Sequence, residues 1–452
     1  MSLTLLVWCA LLATLVVLTL RRPAWGVAVY MLTFFALPAF WWWGRPIAHY
    51  RWSLIGGAVL LSAAILAKLA RGAERDDPQP VEVSRLRWLA ILILVNATAV
   101  HVLLAPNPAI SEGPYWLLAK FVLLFFLIVT VTRTRDDLRI VLLSIVLGAG
   151  YIGYECTIND RGRLRGTRLE GVGAPGASEA NFLASLMVTV LPVSGAFFLA
   201  GRPWEKLLML PVAPFMLNVV LLCNSRGAFL ALLATGAALL LFAPRDVRKR
   251  IMKLLALGAV AAWFLLGDPR IVDRFLTTFS SKEERDSAAQ SRLDYWVCGL
   301  RMIADHPLGA GGHGFKRVYG PNYIAEDLQV VFDGRAVHNG FINEACEWGI
   351  QGFVLRMAFM GGGLLLLWRS ARSPDTAGDP FARIVAMSVF AGTVAFLVSC
   401  LFIDGLDAEW GYWMVALAVA QARVFSVSAV KSRQVAHARP VLLWRSTASG
   451  LT

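Results

Sequence analysis

Apolar runs of about 17–25 residues recur from one end of this chain to the other, each long enough to cross a hydrocarbon core of roughly 30 Å as a helix. Lipid offers no water to a bare backbone, so an apolar run of that length satisfies its own N–H and C=O groups by becoming helical. The runs fall at 2–20, 24–43, 53–70, 88–104, 115–132, 138–156, 180–200, 205–223, 227–243, 251–266, 348–368, 381–402 and 410–427. An all-α polytopic membrane protein with about 12–13 transmembrane helices is expected. Composition agrees, with 57% of 452 residues hydrophobic and 16% charged, and a mean hydropathy of +0.61. Soluble domains of this length are more polar.

The formal net charge of +13 raises nucleic acid as a partner, but the basic residues are scattered between spans and form no continuous face. Membrane topology explains them better. Arg21-Arg22, Arg71 to Arg87, Arg133 and Arg135, Arg202 to Lys206, Arg245 to Lys253, Arg369 to Arg372 and the tail from Arg423 fall on alternate connections. Those connections are expected to be cytoplasmic, which gives about thirteen crossings and an external N-terminus. A twelve-crossing form, with the first or second run re-entrant or the N-terminus inside, is the alternative. The run Leu3 to Leu20 lacks a basic start and a small-residue cleavage site, so it reads as a retained span. The six cysteines show no metal or redox spacing; Cys298 and Cys346 both fall in outward segments, where free thiols and a pair are both open.

Four stretches organise the chain: 1–179, the first spans with an outward arginine loop; 180–266, central spans around a Ser-Arg-Gly corner; 267–347, a large outward segment; and 348–452, the last spans and tail. Within 157–179, Arg161, Arg163, Arg165 and Arg168 break the positive-inside pattern in a loop too short to be exempt from it. Two readings stand side by side. The guanidiniums hold an anion, each offering a flat fork for phosphate, or they pair with Asp160, Glu170 and lipid headgroups. The 267–347 segment is too long for a bare connection. Leu293, Trp296, Val297, Leu300 and Ile303 recur there at helical spacing, as in a helix lying in the membrane interface. Gly309-Ala310-Gly311-Gly312-His313-Gly314 is superficially similar to a dinucleotide loop, but no strand precedes it, and tight turns are a sufficient account.

Three positions stand out as chemistry. His338 lies where a polar segment enters a span; Asn339, Glu344 or Glu347 can orient its ring, and Arg335 can hold an anion beside it. Arg226 stands at the mouth of a run, where an arginine either snorkels to the interface or faces an interior polar site. Arg292 opens the amphipathic helix, with a lipid-facing role as its plainer reading. Asp404, Asp407 and Glu409 form an acidic group between two late spans, read as hydrogen-bonding or acceptor-orienting.

Ser225-Arg226-Gly227-Ala228 opening a span, then Arg292-x-x-x-Trp296, His306-Pro307-Leu308-Gly309-Ala310-Gly311 and Phe315, then His338-Asn339 with Glu347-x-Gly349-x-x-Gly352, in that order, resembles the O-antigen ligase and polymerase superfamily over roughly residues 180–400. The resemblance implies a GT-C-like fold with amphipathic helices in a large periplasmic loop, in a bacterial inner membrane. It implies transfer of a glycan from an undecaprenyl-diphosphate carrier to a lipid A-core hydroxyl at the periplasmic face. Polymerases and protein-directed transferases are the neighbouring alternatives, and an anionic lipid or solute transporter the reading from another class. The implied base is His338, with Arg226 and Arg292 on the diphosphate. Arg335 and the four loop arginines join them as candidates, and Asn339, Glu344 and Glu347 as orienting groups. No metal or other cofactor is expected: a diphosphate already leaves well, fixed guanidiniums neutralise its developing charge, and one imidazole takes the acceptor proton. Direct attack inverts the anomeric centre.

Overall fold

The computed structural model describes residues 2–70, 81–165, 168–243, 245–265, 287–323 and 336–426. Its helices are α1 (Leu3–Arg21), α2 (Trp25–Phe35), α3 (Trp52–Leu69), α4 (Val81–Ala99), α5 (Pro108–Val131), α6 (Arg135–Ile158), α7 (Ala180–Ala200), α8 (Pro203–Cys223), α9 (Arg226–Phe242), α10 (Arg245–Leu265), α11 (Ser287–Asp305), α12 (Gly340–Arg372), α13 (Pro380–Ser399) and α14 (409–426). One hairpin, β1 (Arg163–Arg165) with β2 (Arg168–Glu170), is the sheet among the described residues. Nine of the described helices are long and apolar enough to cross a membrane, and Trp25–Phe40 and Arg226–Phe242 are shorter apolar segments beside them. The chain is an all-α polytopic membrane protein.

Local sequence fixes the helix ends. Asn107 accepts from the N–H of Ile110 ahead of Pro108, Thr134 and Asp137 form a reciprocal capping box on α6, and Asp379 caps α13 ahead of Pro380. The most enclosed part of the bundle is α7, α13 and α14, whose residues are buried almost all round. A helix that is apolar on every side belongs in such a position. Ser185 and Ser399 share a 2.6 Å hydrogen bond across the α7–α13 contact. At the far end of the bundle from the 159–179 loop, Arg139 pairs with Glu205 at 2.5 Å and lies over the Phe381 ring at 3.8 Å, so this buried charge is satisfied by an ion pair and a ring face.

Two expectations need correction. The run at 24–43 is not one span: α2 stops at Phe35, and tight helical turns over Pro38–Phe40 and Trp42–Ile47 follow. Pro38 and Pro46 lack the N–H that a continuing helix needs, and Trp41 donates its indole N–H to the Phe35 carbonyl freed at the helix end. In α11, the packed face is Tyr295, Cys298 and Met302, whereas Leu293, Val297 and Leu300 are exposed. The helix therefore has two apolar faces, one packed against α12 and one exposed. All six cysteines are free thiols; Cys298 gives its proton to the Tyr323 carbonyl and Cys346 to that of Gly299.

The feature that positions everything else is a break in α12. Gly349 has φ +79° and ψ 169°, a conformation open to glycine alone. In a straight helix Glu344 and Arg356 would stand about 18 Å apart along the axis, yet their side chains meet at 3.0 Å. The chain therefore turns sharply at Gly349, and residues 340–348 fold back beside 350–358. The groups freed by the break are taken up by the glycine-rich loop. Ala310 and Gly311 donate to the carbonyls of Cys346 and Glu347 at 3.0 and 2.9 Å, and Ile350 donates to that of Pro307 at 2.9 Å. Asn96 of α4 takes the Trp348 carbonyl at 2.9 Å. A Cβ on Gly309 would lie 2.5 Å from the Gly349 nitrogen, so both sides of this joint must be bare. The loop that resembled a nucleotide cradle is half of a structural joint.

Candidate active site

The short arm 340–348 begins at Asn339, whose side-chain oxygen accepts from the N–H groups of Phe341 and Ile342. His338, just outside the helix, has φ +59°, a left-handed conformation that disfavours a residue with a Cβ. Asp404, in the connection between α13 and α14, holds it there. One carboxylate oxygen accepts from the Asn339 N–H at 3.2 Å, the His338 N–H also reaches the carboxylate, and the other oxygen faces His338 Nδ1 at 3.6 Å. That last separation is an ion-pair distance rather than a formed hydrogen bond. Nδ1 is the ring nitrogen turned toward Asp404, and the ring itself lies on the cavity wall. Burial raises the Asp404 carboxyl and the two backbone donors lower it, with Asp407 and Glu179 raising it further, for a result pushed up to about 7.

Tyr295 of α11 stands edge-on to the His338 ring, with centroids 6.4 Å apart. Arg292 lies one turn earlier on the same helix, so it shares Tyr295's face. Burial lowers its guanidinium, and the positive charges of Arg168 and Arg226 lower it further, against Glu179 and Asp404. Three arginines from β2, α9 and α11 therefore converge. Asn181 ties them together: its side-chain oxygen accepts from Arg168 and from Ser225, the residue that precedes Arg226. Arg168 also donates to the Cys223 carbonyl at 3.3 Å.

These groups open on a cavity of about 1580 Å³ lined by His338, Arg292, Arg168 and Arg165. Its polar wall continues through Glu179, His313, Lys316, Glu347, Asp404, Asp407 and Glu409, and its other wall is mostly apolar, with Arg51 ahead of α3 and Lys120 on α5 as its cations. Phe34 and Leu37 from α2 and its end, Leu54 and Leu61 from α3, and Leu117, Phe121, Leu124 and Leu127 from α5 make a greasy trough running down from the charged rim. Burial lowers the His313 imidazole, and Lys316 and Arg317 lower it further.

Other expected site residues have different work. Arg161 pairs with Glu155 at 3.9 Å and lies over Trp42, and Arg163 is exposed on β1; neither lines the cavity. Arg165 lines it while pairing with Glu170 at 3.8 Å. Arg226 is close enough to Arg292 to lower its guanidinium but is not among the residues lining the cavity. Asn339 is spent on its own helix, and Glu344 pairs with the buried Arg356, so the carboxylate that faces the His338 ring is that of Asp404. Glu347 does face the cavity, held by the Asn343 side chain and the His313 N–H. Arg335 lies outside the described residues. Lys120, Glu179, His313 and Lys316 were missed. The signal for Lys120 was in plain view: an ionisable residue in the middle of an apolar span. Among the described residues, no group of three His, Cys, Asp or Glu is placed to hold a metal ion.

Residues 211–357, from α8 to the re-entrant joint, match the family model described as O-antigen ligase. The chain carries an O-antigen ligase domain. Members of that family are glycosyltransferase-like enzymes that work on lipid-linked glycans. The matched stretch contains Arg226, Arg292, the glycine-rich loop, His338 and Gly349. Asp404 and the apolar trough come from outside the O-antigen ligase domain as matched. No curated protein matches the chain.

Proposed function

We propose that the protein transfers a glycan from an undecaprenyl-diphosphate carrier to a hydroxyl of lipid A-core, at the periplasmic face of a bacterial inner membrane. The observation that carries this reading is a single cavity with a histidine and converging arginines at one end and an apolar trough at the other. A substrate with a polyprenyl tail, a diphosphate and a sugar has the same order of chemistries.

His338 Nε2 takes the proton of the acceptor hydroxyl as its oxygen attacks the anomeric carbon. The bond to the diphosphate oxygen breaks on the opposite side, which inverts that centre. Arg292, Arg168 and Arg226 neutralise the charge that develops on the leaving diphosphate. Asp404 holds the turn that aims His338 and stabilises the imidazolium as it forms. Guanidiniums take the place of a divalent cation in this scheme.

The test is reconstitution: purified protein, undecaprenyl-diphosphate-linked glycan and lipid A-core, with EDTA present. One glycan per acceptor is expected, at an undiminished rate. A growing ladder on the acceptor would make the protein a polymerase, dependence on added metal would overturn the cation-free scheme, and no transfer would leave the proposal without support.

Two further outcomes follow from the geometry. Arg292→Ala is expected to weaken carrier engagement, raising KM on the order of tenfold to a hundredfold for the loss of a charge-assisted contact worth about 1.5–3 kcal/mol. Arg292→Lys is expected to restore little, because an ammonium lacks the guanidinium fork; steady-state kinetics against carrier concentration check both. The second outcome concerns pH. Asp404 is raised to about 7, so its carboxylate, the form that accepts from the His338–Asn339 turn, prevails above that pH and is lost below it. Single-turnover transfer is expected to fall as pH drops through about 7, and Asp404→Asn is expected to be slow throughout, with its acid limb displaced.

A further inference from the structure

Lys120 lies in the middle of α5, twelve residues past its first residue Pro108, and therefore about 18 Å along the helix. It shares a stripe with Leu117, Phe121 and Leu124, the i−3, i+1 and i+4 positions, and all four line the cavity. Phe121 packs near the Tyr412 ring, at 5.8 Å between centroids, which places this level below the connection that carries Asp404. Among the described residues no carboxylate pairs with Lys120. Two buried cations of the bundle do have such partners: Arg356 has Glu344, and Arg139 has Glu205, whereas Lys120 is exposed to the cavity. A charged side chain inside a membrane faces a cavity or a partner. This one has the cavity, and its counter-ion is left to the occupant.

We propose that Lys120 is a second anion site of the cavity, taking a phosphate of a lipid whose chains lie in the trough between α2, α3 and α5. This rests on reading the cavity as the seat of lipid-linked substrates. Lys120 is exposed to the open trough; with lipid chains lying on its apolar neighbours little water is left beside it, which strengthens the attraction between ammonium and phosphate. The phosphate belongs either to the polyprenyl carrier or to a phosphorylated acyl glycolipid acceptor. An ammonium is suited to it as a compact charge on a flexible stem, able to follow a headgroup as it settles.

The experiment measures binding rather than transfer, so it survives a failure of the transferase reading. Full-length protein in nanodiscs, wild type and Lys120→Met and Lys120→Arg, is titrated with undecaprenyl phosphate and with undecaprenol. The same three are titrated with a phosphorylated acyl glycolipid and its dephosphorylated form. Lys120→Met is expected to weaken binding of a phosphorylated probe by about tenfold, the scale of one charge-assisted contact. It is expected to leave the neutral counterpart unchanged, which also shows that the variant is folded, and Lys120→Arg is expected to keep most of the affinity. Loss confined to the undecaprenyl pair assigns the anion to the carrier, and loss confined to the glycolipid pair assigns it to the acceptor. Equal affinities for Lys120→Met and wild type in both pairs overturn the proposal. Absence of transfer in wild type with the phosphate preference intact would strike the transferase reading and not this one.

Discussion

Alanine at His338 is expected to slow glycan transfer by about 10²–10⁴-fold, the usual worth of a positioned general base, while carrier binding stays close to wild type. The expectation follows from a division of labour. Arg168, Arg226 and Arg292 come from three elements that do not depend on the imidazole, so the anion seat survives its removal. The His338–Asn339 turn is held through its backbone by Asp404, and alanine keeps that backbone. Equilibrium binding of the carrier together with single-turnover transfer separates the two effects. Loss of both in the variant would mean that the ring is a structural part of the turn rather than the base.

The second large effect is on stability. Arg356→Met is expected to destabilise the bundle by about 3–5 kcal/mol, the range for removing one partner of a buried ion pair. Arg356 is fully buried and Glu344 nearly so. Their 3.0 Å contact is joined by a hydrogen bond from Arg356 to the Tyr412 hydroxyl and by the guanidinium over the Tyr412 ring. Removing the cation leaves a carboxylate with no water and no counter-charge. The pair also fastens the 340–348 arm, so transfer is expected to fall with stability. Adding Glu344→Gln to Arg356→Met is expected to recover much of the stability, since removing both charges removes the orphan. Thermal unfolding of the two variants and wild type in one detergent is the check. A single variant as stable as wild type would contradict the fastening role.

Much of this was legible in the chain itself, for physical reasons. A span needs some twenty apolar residues in sequence, so every apolar run reappears at least in part as a helix; the one that misled, 24–43, stops at Phe35 ahead of Pro38, whereas α7 and α8 run on through their own prolines. His338, Arg292 and Arg226 were found because short polar words stand out against apolar text. Their supports were found only in part: Asp404 stands out within an acidic group read as hydrogen-bonding or acceptor-orienting, but its tie to His338 does not. Asp404 lies 66 residues past His338 and orients it through backbone N–H groups, which leave no pattern in side-chain spacing. Glu344 and Asn339 looked like orienting groups because they are near in sequence, but the turn at Gly349 sends Glu344 to Arg356, and the helix start claims Asn339. The glycine-rich loop and Glu347-x-Gly349-x-x-Gly352 were separate words in sequence and are the two faces of one contact in space.

That contact has a consequence for how such a protein can vary. Residue 338 hangs from Gly349 on a rod of nine residues, about 13.5 Å long, in which each added or deleted residue shifts the tip by 1.5 Å and swings it through about 100°. Reach and heading are therefore geared together. An insertion between 340 and 348 would point the ring at another wall before it gained any useful length, whereas the rim loops can change freely. Adaptation to new acceptors is thus steered toward the opposite wall of the chamber, with the rod kept at fixed length.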